Sequence, residues 1–281
     1  MTLPPTAGKS LIISRPVIET PMAGTASTRD ERFGRRILSR AGGNNSYTMR
    51  LARNAEEVRA VQALRFMVFN LELQEGLEAS YLTLRDEDEF DPVCEHLLVE
   101  CDGQVVGTYR MQTGTAARNG RGFYSGQEFA MAPFEPVMAE VVELGRACVD
   151  ARHRNLQVLT LLWRGIAQYA RLHRCRYLLG CSSLNSVDPA EGALMYAQLA
   201  GAHLAERRFQ TGPLPGFSCV GASPTDEEPR RVKVPRLLNA YLSLGAKICG
   251  PPALDRQFKT IDFLTLLDLD SLPQQSAAFL D

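Results

Sequence analysis

The chain has 281 residues, of which 45% are hydrophobic and 22% are charged, a composition typical of a folded globular protein. Its 31 basic and 32 acidic side chains give a formal charge of −1, which provides no general electrostatic attraction for nucleic acid. No apolar run reaches about 18 residues, so the sequence predicts no membrane-spanning helix. We therefore expect a folded protein without a nucleic-acid partner.

The N-terminal residues 1–46 differ from the rest, because they are rich in proline, glycine, serine and threonine and carry seven basic and three acidic side chains. This composition predicts a flexible basic extension. Residues 29–40 contain five arginines around Phe33, Ile37 and Leu38, a spacing that favours a short basic helix resting on an anionic membrane surface. The alternative is a solvated, partly helical tail. We expect the extension to be dispensable for chemistry and to contribute only membrane proximity.

From Tyr47 onward, helix and strand patterns become regular, and residues 47–281 are predicted to form one domain. Asn54 is a suitable N-cap for a helix at about 55–73, and Asp102-Gly103 is typical of a hairpin turn. The other predicted elements are strands at 47–52, 96–101, 104–111, 140–149, 176–182 and 263–269, and helices at 156–172, 189–200 and 235–245. This order predicts an α/β or α+β protein with a mixed sheet, which residues 235–281 complete.

The seven cysteines form no CxxC pair, and the N-terminus shows no apolar segment followed by a small-residue cleavage site. Disulfide-stabilised proteins are usually short, secreted and denser in cysteine. We therefore expect reduced thiols and a cytoplasmic protein, with possible peripheral contact at the inner membrane.

Several common catalytic signatures are absent. The sequence contains no GxGxxG loop, Walker motif or GxSxG elbow, and its four histidines form no HExxH or HxxxH pair. These absences argue against a dinucleotide enzyme, an NTPase and a hydrolase. No metal or redox cofactor is expected.

Charged residues at strand ends form a candidate site. Glu143 and Arg146 interrupt an apolar strand, and Arg110 ends the second strand of the predicted hairpin. Buried charges need partners, and a β-bulge at Gly145 would turn Glu143 and Arg146 towards one cleft. The alternative is a purely structural ion network of these three charged residues.

The sequence resembles two related families of bacterial acyltransferases. Residues 142–149, 161–166, 177–181 and 245–250 resemble the Nα-acyltransferases that make lyso-ornithine lipid. The order of seven residues is also similar to that in the acyl-homoserine lactone autoinducer synthases: Arg65, Phe69, Asp88, Asp91, Arg110, Glu143 and Arg146. The resemblance runs from about Tyr47 to Leu280 and implies a GNAT-like acyltransferase fold with a central, largely antiparallel sheet flanked by helices.

What the resemblance implies about function is transfer of a (3-hydroxy)fatty acyl group from acyl carrier protein to the α-amine of L-ornithine. Glu143 is then the expected base for the amine, while Arg110 and Arg146 pair with the substrate carboxylate and hold Glu143 in place. Burial would raise the pKa of Glu143 and Arg146 would lower it, and the sequence leaves that balance open. Four further residues are expected to bind the amino acid: Arg65, Phe69, Asp88 and Asp91.

The loop that follows the strand of Glu143 lacks the glycines of (Q/R)xxGx(G/A), by which GNAT acetyltransferases hold the diphosphate of coenzyme A. Seven arginines and one acid lie between residues 146 and 176. Because acyl carrier proteins are acidic, we expect Arg152, Arg154 and Asn155 to bind the carrier protein and its phosphopantetheine. A solvated arginine-rich surface is the alternative.

Two other functions stay open. The same fold would serve a synthase of another N-acyl amino acid or of an acyl-homoserine lactone, although the similarity after Leu237 favours the ornithine family. A non-catalytic module that binds a carrier protein or lipid is the second alternative. Cys148 and Cys181 are expected to be structural thiols rather than acylated nucleophiles, because no histidine lies near either in sequence.

Overall fold

Nine strands build one sheet in the computed structural model, which describes residues 36–38, 46–219 and 231–272. The strands are β1 (Arg36–Leu38), β2 (Tyr47–Leu51), β3 (Glu95–Cys101), β4 (Gln104–Thr113), β5 (Val141–Val149), β6 (Tyr177–Leu184), β7 (Lys247–Ile248), β8 (Ala253–Asp255) and β9 (Thr260–Asp268). Their order is β1-β2-β3-β4-β5-β6-β9-β7, and β8 pairs with β9. Every pair is antiparallel except β5 with β6. The predicted mixed, largely antiparallel sheet is confirmed.

Six α-helices flank the sheet in the described residues. They are α1 (Ala55–Phe66), α2 (Ser80–Thr83), α3 (Gly114–Arg118), α4 (Leu156–Leu172), α5 (Pro189–His203) and α6 (Arg236–Ser243). Asn54 caps α1 as predicted, and the helix continues as a π-helical turn at Met67–Glu72. Among the described helices, none has both the length and the apolar character needed to cross a membrane.

Strand β1 differs from the prediction for the N-terminal extension. Residues 36–38 were expected to lie in a basic helix, but they pair with Tyr47, Thr48 and Met49 of β2. The exposed edge of β2 offers unpaired N–H and C=O groups, and a neighbouring segment satisfies them by adding a strand. The sheet therefore begins ahead of residue 46. Residues 1–35 and 39–45 of the predicted extension lie outside the described residues.

Helix α4 covers one face of the sheet with an apolar stripe. Leu161 and Ile166 are fully buried against it, and Trp163 packs edge-on against Tyr241 of α6 at 5.4 Å between ring centroids. Because α4 begins directly after β5 and its loop, this packing fixes the helix N-terminus beside the end of β5. That end of the sheet carries the candidate site.

Candidate active site

Strands β5 and β6 pair only at their beginnings, from Val141 opposite Tyr177 to Glu143 opposite Leu179, and then separate. Gly180 lies at the point of separation, where an added Cβ would approach the carbonyl oxygen of Leu144 to 2.2 Å. Only glycine allows the two backbones to stay this close before they diverge. A cavity of about 900 Å³ opens at the separation.

The lining of this cavity is partly apolar and partly charged. Leucines from α4 and α6 supply much of the apolar wall: Leu156, Leu159, Leu162, Leu237 and Leu238. The polar lining comes mainly from the sheet and the loops beside it: Glu75, Arg110, Gln112, Ser125, Glu143, Arg146, Asp255 and Asp262. Cavities of this size and mixed lining are typical of small-molecule sites, here for an amphiphilic ligand.

A β-bulge brings Arg146 into the cavity. Thr108 lies opposite Cys148 whereas Arg110 lies opposite Gly145, so two residues of β5 face Tyr109 alone. Arg146 is one of those two, and its φ of +50° places it in the left-handed region. Both Glu143 and Arg146 consequently line one cavity, as a bulge at this position predicts.

The carboxylate of Glu143 is held by three hydrogen-bond donors. The backbone N–H groups of Tyr124 and Ser125 donate to it at 2.7 and 2.8 Å, and the Ser125 hydroxyl donates at 2.7 Å. Burial raises the pKa of Glu143, and this effect outweighs the lowering by these hydrogen bonds and by the charge of Arg110. A carboxylate offers about four acceptor sites, so one is left for a substrate.

The predicted contacts of Glu143 with Arg110 and Arg146 are wrong for the described residues. Neither arginine donates to Glu143, because both are engaged by aspartates. The turn Tyr124–Gln127 positions Glu143 instead, since its backbone N–H groups converge on the carboxylate.

Three arginines and three aspartates form one buried ion network: Arg65, Arg110, Arg146, Asp86, Asp88 and Asp91. Arg65 is completely buried and donates to Asp86 at 2.6 Å and to Asp91 at 2.9 Å. Burial alone would raise the pKa of Asp91, but the charge and hydrogen bonds of Arg65 and the charge of Arg110 lower it overall. Arg65 and Arg110 therefore hold Asp91 as a carboxylate.

The network reaches the cavity through Arg110 and Arg146. Arg110 Nη1 donates to Asp88 at 2.6 Å, and Arg146 Nη2 donates to the same carboxylate at 3.0 Å. The ring of Tyr124 lies beneath both guanidinium groups, with its centroid 5.1 Å and 4.6 Å from their central carbons. These contacts fix two cations at the cavity wall.

The structure pairs Asp88, Asp91 and Arg65, which are predicted to bind the amino acid, with one another or with Arg110, and their contact with a substrate stays a prediction. None of these three residues is among the described residues that line the cavity, whereas Phe69 does line it. The physical reason is charge balance, because three buried arginines require three buried anions. Arg65 and the aspartates are therefore positioning residues for Arg110 and Arg146.

Gln112 is a site residue that the sequence analysis missed. It lies opposite Glu143 in the β4–β5 pair, lines the cavity and is 2% exposed. Neither its amide nitrogen nor its amide oxygen has a hydrogen-bond partner in the described part of the chain. Leaving a buried amide unpaired is costly, so a polar ligand is its natural partner. The available signal was period-two alternation, which puts Gln112 and Arg110 on the same face of β4.

Four buried carboxyl groups were also missed: Glu75, Glu128, Asp255 and Asp262, hereafter the acidic cluster. Burial and then the charges of Asp262 and Asp255 raise the pKa of Glu128 to about 10. Burial raises the pKa of Asp262 to about 6 and that of Glu75 to about 7. Because the members of the cluster come from separate loops and strands, no short sequence motif predicts it.

We expect Glu128→Gln to stabilise the protein by about 1 kcal/mol or more at pH 8.5 and by less at pH 5.5. The native state keeps the Glu128 proton far above the ordinary glutamate pKa of 4.5, at which the unfolded chain releases it. Native stability is therefore lost as the pH rises above that value, and glutamine removes this loss. Urea unfolding at the two pH values measures the difference. The exposed Glu135→Gln is the matched control, and an equal gain at both pH values would contradict the prediction.

Asn155, in the predicted carrier-binding loop, is the N-cap of α4. Its side-chain oxygen accepts hydrogen bonds from the N–H groups of Gln157 at 3.0 Å and Val158 at 3.1 Å. These are the groups with which a helix N-terminus would hold a diphosphate. The loop therefore lacks both the glycines and two of the free N–H donors of a coenzyme A site.

The two loop arginines have different surroundings. Arg152 is largely exposed and pairs with Asp150 at 2.9 Å. Arg154 Nη2 donates a hydrogen bond to Glu72 Oε2 at 2.8 Å. Arg154 and Asn155 both line the cavity. The loop thus presents positive side chains at the cavity wall and on the adjacent surface.

All seven cysteines are free thiols. Cys148 is buried as predicted, while Cys181 is partly exposed and lines the cavity. Burial raises the pKa of both thiols far above the ordinary value of 9.0. Neither is suited to act as a thiolate nucleophile near neutral pH.

Comparisons with known proteins agree with this architecture. Residues 64–164 match the family model of the acetyltransferase (GNAT) domain. The chain is 32% identical over 270 residues to the L-ornithine N(alpha)-acyltransferase of Agrobacterium fabrum, covering 91% of this chain and 89% of the relative. The chain is also 33% identical over 250 residues to the Rhodobacter capsulatus protein of the same name, and this alignment covers 83% of this chain and 94% of the relative. In structure, FeeM, an N-acyl amino acid synthase from uncultured soil microbes, aligns with a TM-score of 0.51 at 12% identity, covering 85% of this chain and all of FeeM.

The antiparallel sheet with its single diverging parallel pair, the cavity at that divergence and the matching domain model define an acyltransferase of the GNAT class. Similarity to the curated relatives over most of both chains is more specific. The chain belongs to the L-ornithine Nα-acyltransferase family and is an amide-forming acyltransferase. The resemblance found in the sequence is confirmed.

Proposed function

We propose that the protein moves a (3-hydroxy)fatty acyl group from acyl carrier protein to the α-amine of L-ornithine, giving lyso-ornithine lipid. The observation that carries this proposal is the cavity, where a carboxylate and two arginines lie beside leucine-rich walls, in a chain whose relatives are named L-ornithine N(alpha)-acyltransferases. A thioester is already activated for attack by an amine, so this reaction requires no metal or redox cofactor.

The amine must lose a proton for the reaction to proceed. An α-amine has a solution pKa of about 8, so most of it arrives protonated at neutral pH. Glu143 accepts this proton, and its raised pKa makes it a better base than an ordinary carboxylate. The nitrogen then forms its bond to the thioester carbon and the carbon–sulfur bond breaks. The nitrogen loses its second proton as the amide forms, and the phosphopantetheine sulfur takes up that proton and leaves as a thiol.

Charge develops on the thioester oxygen during attack. Among the described residues the β5–β6 pairing ends at Glu143, and the backbone N–H groups that β5 directs towards β6 beyond that point are available to that oxygen. Arg146, at the same point of β5, pairs with the substrate carboxylate, and Gln112 supplies a further amide contact. The acceptor is thereby oriented between β5 and the polar wall.

The leucine-rich wall binds the acyl chain. Leu159 and Leu162 from α4 face the cavity along with Leu237 and Leu238 from α6. Each buried methylene contributes about 0.8 kcal/mol, so a long chain gains much of its binding energy here. Trp163 lines a second, smaller cavity of about 70 Å³, and Leu144 lines both cavities.

The carrier-protein donor is tested by reversing the charge of the loop. We expect Arg152→Glu with Arg154→Glu to raise the KM for acyl carrier protein by about tenfold or more at low salt and to weaken its salt dependence. Steady-state kinetics at two ionic strengths measure both effects. Arg207→Glu with Arg208→Glu makes the same charge change at exposed positions outside the cavity lining and is expected to behave as wild type. Equal activity with acyl-CoA, or no effect of the loop reversal, would contradict the assignment.

One mass-spectrometric assay tests the acceptor. Purified protein is mixed with 3-hydroxyacyl carrier protein and a panel of amino acids that includes S-adenosylmethionine, and the acylated products are identified. N-acylornithine is the expected product. If the product is an acyl-homoserine lactone or another N-acyl amino acid, that product replaces N-acylornithine in the proposed function. The absence of any product would favour a binding module.

Contact of the basic N-terminal residues with the inner membrane and a cytoplasmic location stay predictions.

A further inference from the structure

The mechanism above does not use the acidic cluster, although three of its four members line the same cavity. Glu75, Asp255 and Asp262 face the cavity, and Glu128 lies beside Asp262. We propose that the acidic cluster binds the side-chain ammonium group of the acceptor and thereby selects a diamino acid over amino acids with neutral side chains. This inference rests on the proposed function and assigns specificity within it.

The cluster contains buried oxygens that no donor outside it reaches within the described residues. Glu128 and Asp262 are 2% and 5% exposed, and their carboxyl groups are joined by a side-chain hydrogen bond that requires a shared proton. Apart from that proton, no donor among the described residues reaches Glu128 Oε2 or Asp262 Oδ1. No ion pair within the described ranges includes Glu75, Glu128 or Asp262. This differs from the ion network, where every aspartate contacts an arginine. The Glu128–Asp262 pair keeps one proton, and the negative charge that it shares with its buried neighbours has no cation in ion-pair contact among the described residues. A buried charge without a partner is costly, and an ammonium group supplies one positive charge and three donors.

The acidic cluster lies close enough to Glu143 for one substrate to place its α-amine at Glu143 and a second amine in the cluster. Cys181 Sγ lies within 4.8 Å of carboxyl oxygens of Glu128 and Asp262, and it donates to the Ser125 hydroxyl at 3.6 Å. Ser125 in turn donates to Glu143 at 2.7 Å. The two sites are thus separated by the side chains of Cys181 and Ser125. An acceptor with its α-amine at Glu143 extends a short alkyl chain across this separation and places its terminal ammonium in the cluster.

Protonation of the cluster agrees with an ammonium ligand. Without a cation, burial raises the pKa of Glu75 and Asp262 into the range of about 6 to 7. A bound ammonium favours the charged carboxylates and releases protons. A metal ion on Glu128, Asp262 and Cys181 would require a thiolate, which burial of Cys181 opposes.

The experiment compares L-ornithine with L-norvaline, which has the same carbon chain without the terminal amine. We expect the wild-type enzyme to prefer ornithine by about 10²–10⁴-fold in kcat/KM, because norvaline leaves buried polar groups unpaired. Asp262→Asn keeps the shape and removes the charge. It should lose most of this preference through a lower kcat/KM for ornithine, with that for norvaline changed by less than about threefold. Asp270→Asn, an exposed position outside the cavity lining, is the matched control.

The outcomes separate this inference from the proposed function. An equal loss for both amino acids in Asp262→Asn, or an unchanged preference, would overturn the inference while ornithine acylation stands. Stoichiometric bound metal together with inactivation by a chelator would also overturn it. If Asp262→Asn does not fold, Glu75→Gln at the cavity wall decides the question by the same ratio. Failure of the wild-type protein to acylate either amino acid would refute the proposed function itself.

Discussion

Replacing Glu143 with glutamine is expected to lower kcat at neutral pH by about 10²–10⁴-fold, because the variant cannot accept the proton of the α-amine. The loss should shrink as the pH rises above about 8, where the amine arrives deprotonated. Kinetics of kcat across pH 6–10 (roughly the range in which amine and base titrate) measure both effects. A near-normal kcat, or a loss that does not depend on pH, would argue for a structural role.

The structure also indicates that Glu143→Gln lowers the stability of the protein. Both oxygens of Glu143 accept hydrogen bonds from the turn at Tyr124 and Ser125, and the amide nitrogen of glutamine would face one of those donors. Loss of one such bond in a buried site costs about 1–3 kcal/mol. Thermal unfolding of the variant must therefore accompany its kinetics, so that a folded but slow enzyme is distinguished from an unfolded one.

Ser125→Ala supplies the matched variant. It removes the hydroxyl that lowers the pKa of Glu143 but keeps the carboxylate and both backbone donors. If Glu143 is the base, the acidic limb of the kcat profile should move to higher pH, because the pKa of Glu143 rises further. A profile that stays in place would contradict the assignment of the base, since a merely structural carboxylate has no reason to control that limb.

Local sequence signals predicted the elements that frame the site. The amphipathic pattern over 156–172 matches α4 at both ends, and Asp102-Gly103 forms the turn between β3 and β4 with φ values of +50° and +77°. Such signals depend on a few neighbouring residues and need no knowledge of the fold. They also placed Glu143 and Arg146 on one strand and a bulge beside them.

The partners of the charged residues were beyond the reach of the sequence. Asp88 and Asp91 were assigned to the substrate because the sequence shows their charge but not the three arginines that the fold places around them. Conversely, Glu128 and Asp262 gave no signal, because the fold joins a loop and a late strand that are far apart in sequence. β1 was missed for the same reason, since its pairing with β2 depends on an edge that only the assembled sheet provides.

The division of charge in the cavity follows from these partners. Arg110 and Arg146 are cations whose own anions hold them in place, so they can pair with a substrate anion without being displaced. The acidic cluster is the reverse case, since its carboxyl groups have no arginine or lysine in ion-pair contact within the described residues. A substrate with an anionic carboxylate and two amines matches this arrangement, with its carboxylate at β5 and its second amine at the cluster.

Replacing Asp91 with asparagine is expected to destabilise the protein by about 3–5 kcal/mol at neutral pH, because it removes the anion shared by two buried arginines. Asp91 accepts hydrogen bonds from Gln62 at 2.8 Å, from Arg65 at 2.9 Å and 3.0 Å, and from Arg110 at 2.9 Å. The NH2 group of an asparagine would face the N–H donors of these side chains and could not accept their hydrogen bonds. The positive charges of Arg65 and Arg110 would also lose the anion that they share.

The pH dependence follows from the lowered pKa of Asp91. Its contribution to stability is complete above the ordinary pKa of 3.8 and is lost as the pH falls towards the lower native value. The difference between wild type and Asp91→Asn should therefore be constant near neutral pH and should narrow below about pH 4, as urea unfolding across this range will measure. Glu89→Gln removes the surface pair with Arg121 and should change stability by less than about 1 kcal/mol. A comparably small effect at Asp91 would mean that Arg65 and Arg110 are compensated elsewhere, and the assignment of these residues as the support of the cavity cations would then be wrong.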